Sequence, residues 1–328
     1  MTGGLVKRIA DAVLYEGYML YPYRPSAVKN RQRFNFGVLY PESYAAGVPA
    51  GSTDRCFLTT ECLLEAGPDA VLDVTVRFLH LVERIAVRGE IARPWQEAVE
   101  RDVRVDGNLV AALAGQWLRD TFRYAGAEQL DPLAQGGETG EVVTRRQHRL
   151  EGAIEVSASP CAGGVHRVRV RLLNSTPTDD RPSLSRDDAL LRSLVSAHVI
   201  LTVRGGEFVS LLDPPEALAQ LAAGCENVGV WPVLAGEHGA RDTMLASPII
   251  LYDYPEIAPE SAGDLFDGTE IDEILSLRIL TLTDEEKREM RESDERARRI
   301  LQRTESMAAE QMMQLHGAMR RPEPEQRL

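Results

Sequence analysis

Four cationic side chains, Arg24, Lys29, Arg31 and Arg33, stand among Tyr21, Tyr23, Phe34 and Phe36 in the stretch LYPYRPSAVKNRQRFNFG, residues 20–37. Guanidinium groups bind carboxylates and phosphates in bidentate fashion, and Arg and Tyr are frequent anchors of protein interfaces. The stretch therefore offers an anion-recognition site or a docking surface for a protein. The same residues also describe a solvated hairpin loop whose rings face the core. A second set, Asp253, Glu256, Glu260, Asp264, Asp267, Glu270, Asp272 and Glu273, invites a calcium reading. Its spacing does not supply the alternate oxygen ligands, sixth-position Gly and twelfth-position Glu of an EF-hand. Acids at a helix start and in a turn explain it instead. Were the cations to bind a small anion, a carboxylate such as Asp253 or Glu256 would be the candidate base.

Other chemistries find less support. His80, His148, His166, His198, His238 and His316 include no pair at the i, i+4 spacing of a metalloprotease helix. Cys56, Cys62, Cys161 and Cys225 form no CxxC pair, so the spacing of zinc and iron–sulfur sites is absent and no cofactor is expected. There is no GxSxG elbow, P-loop or GxGxxG fingerprint. Toward the C-terminus, Met307, Met312, Met313 and Met319 lie near Leu315 and His316. Methionines in such a stripe either pack on their own domain or offer a soft face to a partner, including a second copy of the chain.

Composition sets the frame for these residues. The 328-residue chain is 44% hydrophobic and 27% charged, in the range of globular proteins and long enough for one large domain or two ordinary ones. Its net charge of -13 argues against a general nucleic-acid or anionic-membrane binder. No run reaches the length of a membrane span, and MTGGLVKRIADAVLYEG is broken by Asp11 and Glu16 before it could serve as a signal h-region. A cytoplasmic protein with reduced thiols is the expectation.

The elements that must carry these side chains are mostly strands. Leu5 to Leu14 reads as a short helix, and VLYEGYMLYPY and FNFGVLYP as two strands around residues 25–33. CFLTTECLLE and AVLDVTVRFLHLVERIAV read as a strand pair, whereas WQEAVERDV and LVAALAGQWLRDTFRYAG lean helical or mixed. Residues 127–144 form a Gly-rich, acidic loop or boundary. HRLEGAIEVSAS and VHRVRVRLLNST are two strands, the second with Arg167, Arg169 and Arg171 on one face. SRDD caps a helix that leads into an apolar strand, with GGEFVSLLDPP as its hairpin return and PEALAQLAAGC as a short helix. VGVWPVLAG and LASPIILYDYPEIAP close the strand series. Beyond residue 259, Thr269 with Asp272 and Thr283 with Glu286 look like capping boxes, the second opening a long charged helix. The expected architecture is α+β: a β-rich, mostly antiparallel, sandwich or barrel-like body over 1–259, either whole or divided near 127–144. A helical C-terminal segment follows over 260–320, then a flexible tail over 321–328.

Two segments add a resemblance. VLYEGYMLYPYRPSAVKNRQRFNFGVLYP and SPIILYDYPEIAPESAGDLFDGTEIDEILSLRILTLTDEEK resemble a bacterial family whose genes lie beside those of actinobacterial-type [NiFe] hydrogenases. The resemblance implies a cytosolic, non-catalytic accessory or assembly factor that binds a hydrogenase subunit or a maturation intermediate. It carries over no catalytic residues. The chain itself lacks the paired CxxC motifs by which a large hydrogenase subunit holds its metals. Two alternatives stay open: an enzyme acting on a small anionic ligand, and a structural subunit that self-associates through its C-terminal helix.

Overall fold

The structure is a computed structural model that describes residues 2–31, 33–49, 51–88, 91–132, 141–161, 163–178, 184–257 and 272–307. The chain divides into two units, one formed by 1–16 with 34–256, the other by 17–33 with 257–328.

The first unit opens with helix α1 (Thr2–Tyr15), and a short turn, α2 (Glu42–Ala45), precedes the sheet. Strands β1 (Phe57–Arg88), β2 (Ile91–Leu109), β3 (Leu118–Tyr124), β4 (Ala127–Pro132) and β5 (Glu141–Gln147) follow. Then come β6 (Leu150–Pro160), β7 (Val165–Asn174), helix α3 (Arg186–Leu190), β8 (Val195–Val209), helix α4 (Ala219–Ala223), β9 (Trp231–Leu234) and β10 (Thr243–Ser247). These strands form one antiparallel sheet in the order β3-β6-β7-β1-β8-β10-β9, with β2 and β5 also on β1 and β4 on β5. The fold is α+β with a β-rich body, as expected, and the sheet is open rather than closed into a barrel.

β1 is the spine of the sheet. One edge meets β7 over Phe57–Glu65 and then β2 over Val71–Arg88, while the other follows β8 from Leu63 to Leu79. Its even-numbered residues Leu58, Cys62, Leu64, Leu72, Val74, Val76 and Phe78 enter one core with Val168, Val170 and Leu172 of β7. The sheet curls enough for Phe78 to meet Phe122 of β3 at 5.6 Å and Tyr124 at 6.2 Å.

CFLTTECLLE and AVLDVTVRFLHLVERIAV are one strand, because Gly67 to Ala70 bulge out opposite Gly205 while β8 runs on past them. For the same reason GGEFV does not reverse; it continues β8, and a side chain at Gly206 would meet the Glu65 carbonyl at 2.8 Å. WQEAVERDV is strand, since β2 must match the register of β1 from Val71 to Arg88. Residues 127–132 and 141–147 are the paired strands β4 and β5, and 133–140 lie outside the described residues. In β7 the expected alternation holds: Val165, Val168, Val170 and Leu172 are buried, and the three arginines lie on the opposite face.

The second unit holds helices α5 (Asp272–Leu280), α6 (Asp284–Ser293) and α7 (Glu295–Glu305). Thr283 and Glu286 form the expected capping box. The expected single long helix is instead two, because Asp294 leaves helical geometry at φ -151, ψ 146 and caps α7 by accepting the Arg296 N–H at 2.7 Å. The chain doubles back there, so Arg291 of α6 meets both carboxylate oxygens of Glu305 at 3.0 Å. Leu275, Ile279, Met290, Ala297, Ile300 and Leu301 are buried. Met312, Met313, Met319 and His316 lie outside the described residues, as does Thr269. Among the described residues no helix is long and apolar enough to cross a membrane.

Candidate functional site

The basic stretch is not a strand pair. Pro22 and Pro25 remove two backbone donors, and Asn30 then satisfies Leu20 as a neighbouring strand would. Its Oδ1 accepts from Leu20 N–H at 2.8 Å, and its Nδ2 donates to Leu20 C=O at 2.8 Å and Arg24 C=O at 3.1 Å. Residues 17–33 thus form a closed loop, with a single 3-10 turn at Val28–Arg31, that folds with the C-terminal helices.

Most of its candidate anchors are engaged within that unit. Arg24 pairs with Glu286 at 2.7 Å and lies 3.8 Å from Glu289, whose two oxygens also accept from Ser26 N–H and Oγ–H at 2.9 Å. Tyr23 is fully buried and edge-on to Tyr21, over which Arg278 stands at 5.6 Å. Arg33 is buried, donates to Tyr18 C=O at 2.9 Å and faces the Tyr18 ring. Burial pushes its guanidinium down to about 10. Tyr18 donates to Asp294 Oδ2 at 2.8 Å across 276 residues of chain, and burial followed by the Asp294 charge holds its phenol well above the usual range. Lys29 is exposed. The side chain of Arg31, and Glu260, lie outside the described residues.

Asp253 has a different setting, in the first unit. Its Oδ2 accepts the Ser210 hydroxyl at 2.5 Å and its Oδ1 accepts Leu234 N–H at 2.7 Å. Ser210 Oγ in turn accepts from Leu212 N–H at 3.1 Å and Asp213 N–H at 2.9 Å. One carboxylate therefore clips three segments: the turn after β8, the end of β9, and its own segment after β10. Tyr254, at φ 57, closes the clip by donating its N–H to Leu234 C=O at 2.7 Å.

This clip orders an apolar surface. Ser247 lies opposite Trp231 in the β10–β9 register, and six residues later the chain returns to the other side of β9 at Asp253. The intervening residues pass around the Trp231 end of β9. On this loop Ile250 is 71% exposed and Tyr252 84%; Trp231 is 46% exposed, and Leu212, on the clipped turn, is 55% exposed. Pro248 anchors the near end of the loop so closely on Gly37 that a Cβ there would meet it at 2.8 Å. Single exposed apolar residues are ordinary, but four on segments that one carboxylate ties together, two of them aromatic, match the composition of an interface centre. Sequence reasoning placed SPIILYDYP in a strand and missed the patch. Ile250 and Tyr252 are two residues apart, the spacing that puts both on one face of a strand, so the apolar run gave no signal against a strand. Glu256, three residues beyond Asp253, is exposed at its border.

The remaining buried polar groups act as fasteners. Arg77 on β1 is buried against Asp11 of α1 at 2.8 Å and Asp102 of β2 at 2.9 Å, with Glu100 at 3.5 Å holding Tyr15. His198 lies opposite Arg77 in the sheet, bonds Ser196 C=O through Nδ1 at 2.9 Å, and has no partner at Nε2 among the described residues. Burial pushes it down to about 4, with the Arg77 charge adding to the effect. Glu61, also buried, accepts from the Arg169 guanidinium and from Glu226 N–H at 2.8 Å, while Asn227 bridges Thr60 and the Glu61 backbone. Near it, burial pushes the Cys225 thiol up to about 11 against the lowering effect of Arg167. Among the described residues no cluster of three metal-ligating side chains occurs. No protein-family model matches the chain, and no curated protein matches it.

Proposed function

We propose that the protein is a non-catalytic accessory or assembly factor that holds a protein partner. The carrying observation is the clipped surface of Leu212, Trp231, Ile250 and Tyr252. A carboxylate with both oxygens committed to the scaffold, beneath large apolar side chains turned to solvent, suits a preorganised contact face. It does not suit a base, which needs a free lone pair aimed at substrate. The second of the two segments that resemble the hydrogenase-linked family contributes Ile250 and Tyr252 to this surface, in SPIILYDYP. The partner we propose is accordingly a [NiFe] hydrogenase subunit or one of its maturation intermediates, met in the cytoplasm. Deleting the gene in its host and assaying hydrogenase activity tests the reading. Loss of activity restored by the wild-type gene supports it; full activity in the deletion strain contradicts it.

A further inference from the structure

Resting on the reading that the clipped surface holds a protein, we infer that its occupant is a basic segment: an apolar or aromatic anchor flanked by Lys or Arg. Three features of the surface lead there. The first is apolar area. Ile250 and Tyr252 are exposed on one loop, and Trp231 is exposed at the strand end opposite Ser247, where that loop begins. The second is the sign of the rim. Asp213 is exposed on the clipped turn, Glu216 is exposed three residues further along, and Glu256 is exposed just past the clip. Nearby Arg241 is already committed to Glu65 at 2.8 Å, Glu207 at 3.0 Å and the Phe208 carbonyl. Arg55, whose guanidinium lies against Gly229, is the cation on the opposite flank, which puts the partner's positive charge on the Asp213–Glu256 side. The net charge of -13 draws such a segment in from a distance.

The third feature is what the edge of the sheet refuses. β9 ends the strand order, where an extended peptide could add a strand. Pro232 offers no N–H, and both backbone groups of Leu234 are taken, by Asp253 and by Tyr254. With its ladder groups blocked, the edge is protected in the manner of natural edge strands. Recognition is left to side chains, that is, to an anchor and its flanking charges.

The test uses the full-length protein and three labelled synthetic peptides: a Trp/Leu anchor among lysines, the same anchor among glutamates, and the lysine peptide with its anchor replaced by Gly. Fluorescence anisotropy should show binding of the first alone. Affinity should fall about tenfold or more in Ile250→Ala/Tyr252→Ala and severalfold in Asp213→Asn/Glu216→Gln/Glu256→Gln. It should also weaken as salt rises from about 0.05 M to about 0.5 M. Equal binding of the glutamate peptide, equal binding of the anchorless peptide, or unchanged affinity in the Ile250/Tyr252 variant overturns the inference. Sedimentation at the same concentrations adds one more outcome: a dimer that dissociates in Ile250→Ala/Tyr252→Ala assigns the face to a second copy and also overturns it. The two readings separate cleanly. Patch variants that lose hydrogenase support while the wild type binds no basic peptide sink the inference alone. Specific peptide binding with undiminished hydrogenase activity in the deletion strain sinks the accessory role alone.

Discussion

Leu20-Tyr21-Pro22-Tyr23 and Leu251-Tyr252-Asp253-Tyr254 differ by one residue in four, and in both the last tyrosine sits at φ 57. Their surroundings are opposite. In the first, Tyr23 is fully buried, Tyr21 lies under Arg278, and the neighbouring Arg24 and Arg33 are committed to groups of the helical unit. In the second, the polar residue turns inward, where Asp253 clips Ser210 and Leu234, and Tyr252 is 84% exposed. An aromatic–cationic composition is thus compatible with an interior, and a central carboxylate with a scaffold. What decides is which side chain finds partners within its own unit.

Four perturbations sharpen that contrast, and the largest effects belong to the groups turned inward. Arg33→Ala removes the buried hydrogen bond to the Tyr18 carbonyl and one of the positive charges that act on the Tyr18–Asp294 pair. Chemical denaturation followed through the helical signal should show a loss of about 3 kcal/mol or more. The buried histidines of the sheet unit give the next effect. His80 and His198 are held near a pKa of about 4, against 6.5 when unfolded. The unfolded chain therefore binds more protons between those values, and stability falls as pH drops from 6.5 toward 4. By pH 4.5 the loss should reach about 2.5 kcal/mol for each. His198→Gln should remove its share of the slope, read from denaturation at pH 7 and pH 4.5.

Asp253→Ala comes third. It removes two part-buried hydrogen bonds, worth about 1 kcal/mol each, and should expose the Leu234 amide to faster hydrogen exchange. Tyr252→Ala should change stability least, within about 0.5 kcal/mol, because the side chain has little to lose on the protein's own surface. A destabilisation by Tyr252→Ala as large as that by Arg33→Ala would erase the contrast.

What could be read in the sequence was local. The alternation in VHRVRVRLL gives β7 its buried and cationic faces, Ser185 caps α3 by accepting the Asp188 N–H at 3.1 Å, and Thr283 with Glu286 opens α6. Each signal lies within a few residues of what it determines. Hidden features depend on distant partners. Gly67-Pro68-Asp69 is a bulge and not a turn because β8 runs past it, and no property of β1 alone says so. Asp294 breaks a sequence that is helical by charge pattern because its carboxylate meets Tyr18. Of the candidate site, the sequence offered Arg24, Arg33, Tyr21 and Tyr23 as binding anchors and Asp253 as a base, but the direction in which each faces was not legible. Ile250 and Tyr252 passed for strand residues because the Asp253 clip joins three segments that the sequence separates.

The decisive measurement is hydroxyl-radical footprinting of the full-length protein, alone and after co-expression with the proposed hydrogenase partner. Tyr252 and Trp231 should oxidise rapidly and Tyr23 slowly in the free protein, with protection on complex formation concentrated at Tyr252 and Trp231. Oxidation of Tyr23 at the rate of Tyr252, or protection confined to residues 17–33, would contradict it.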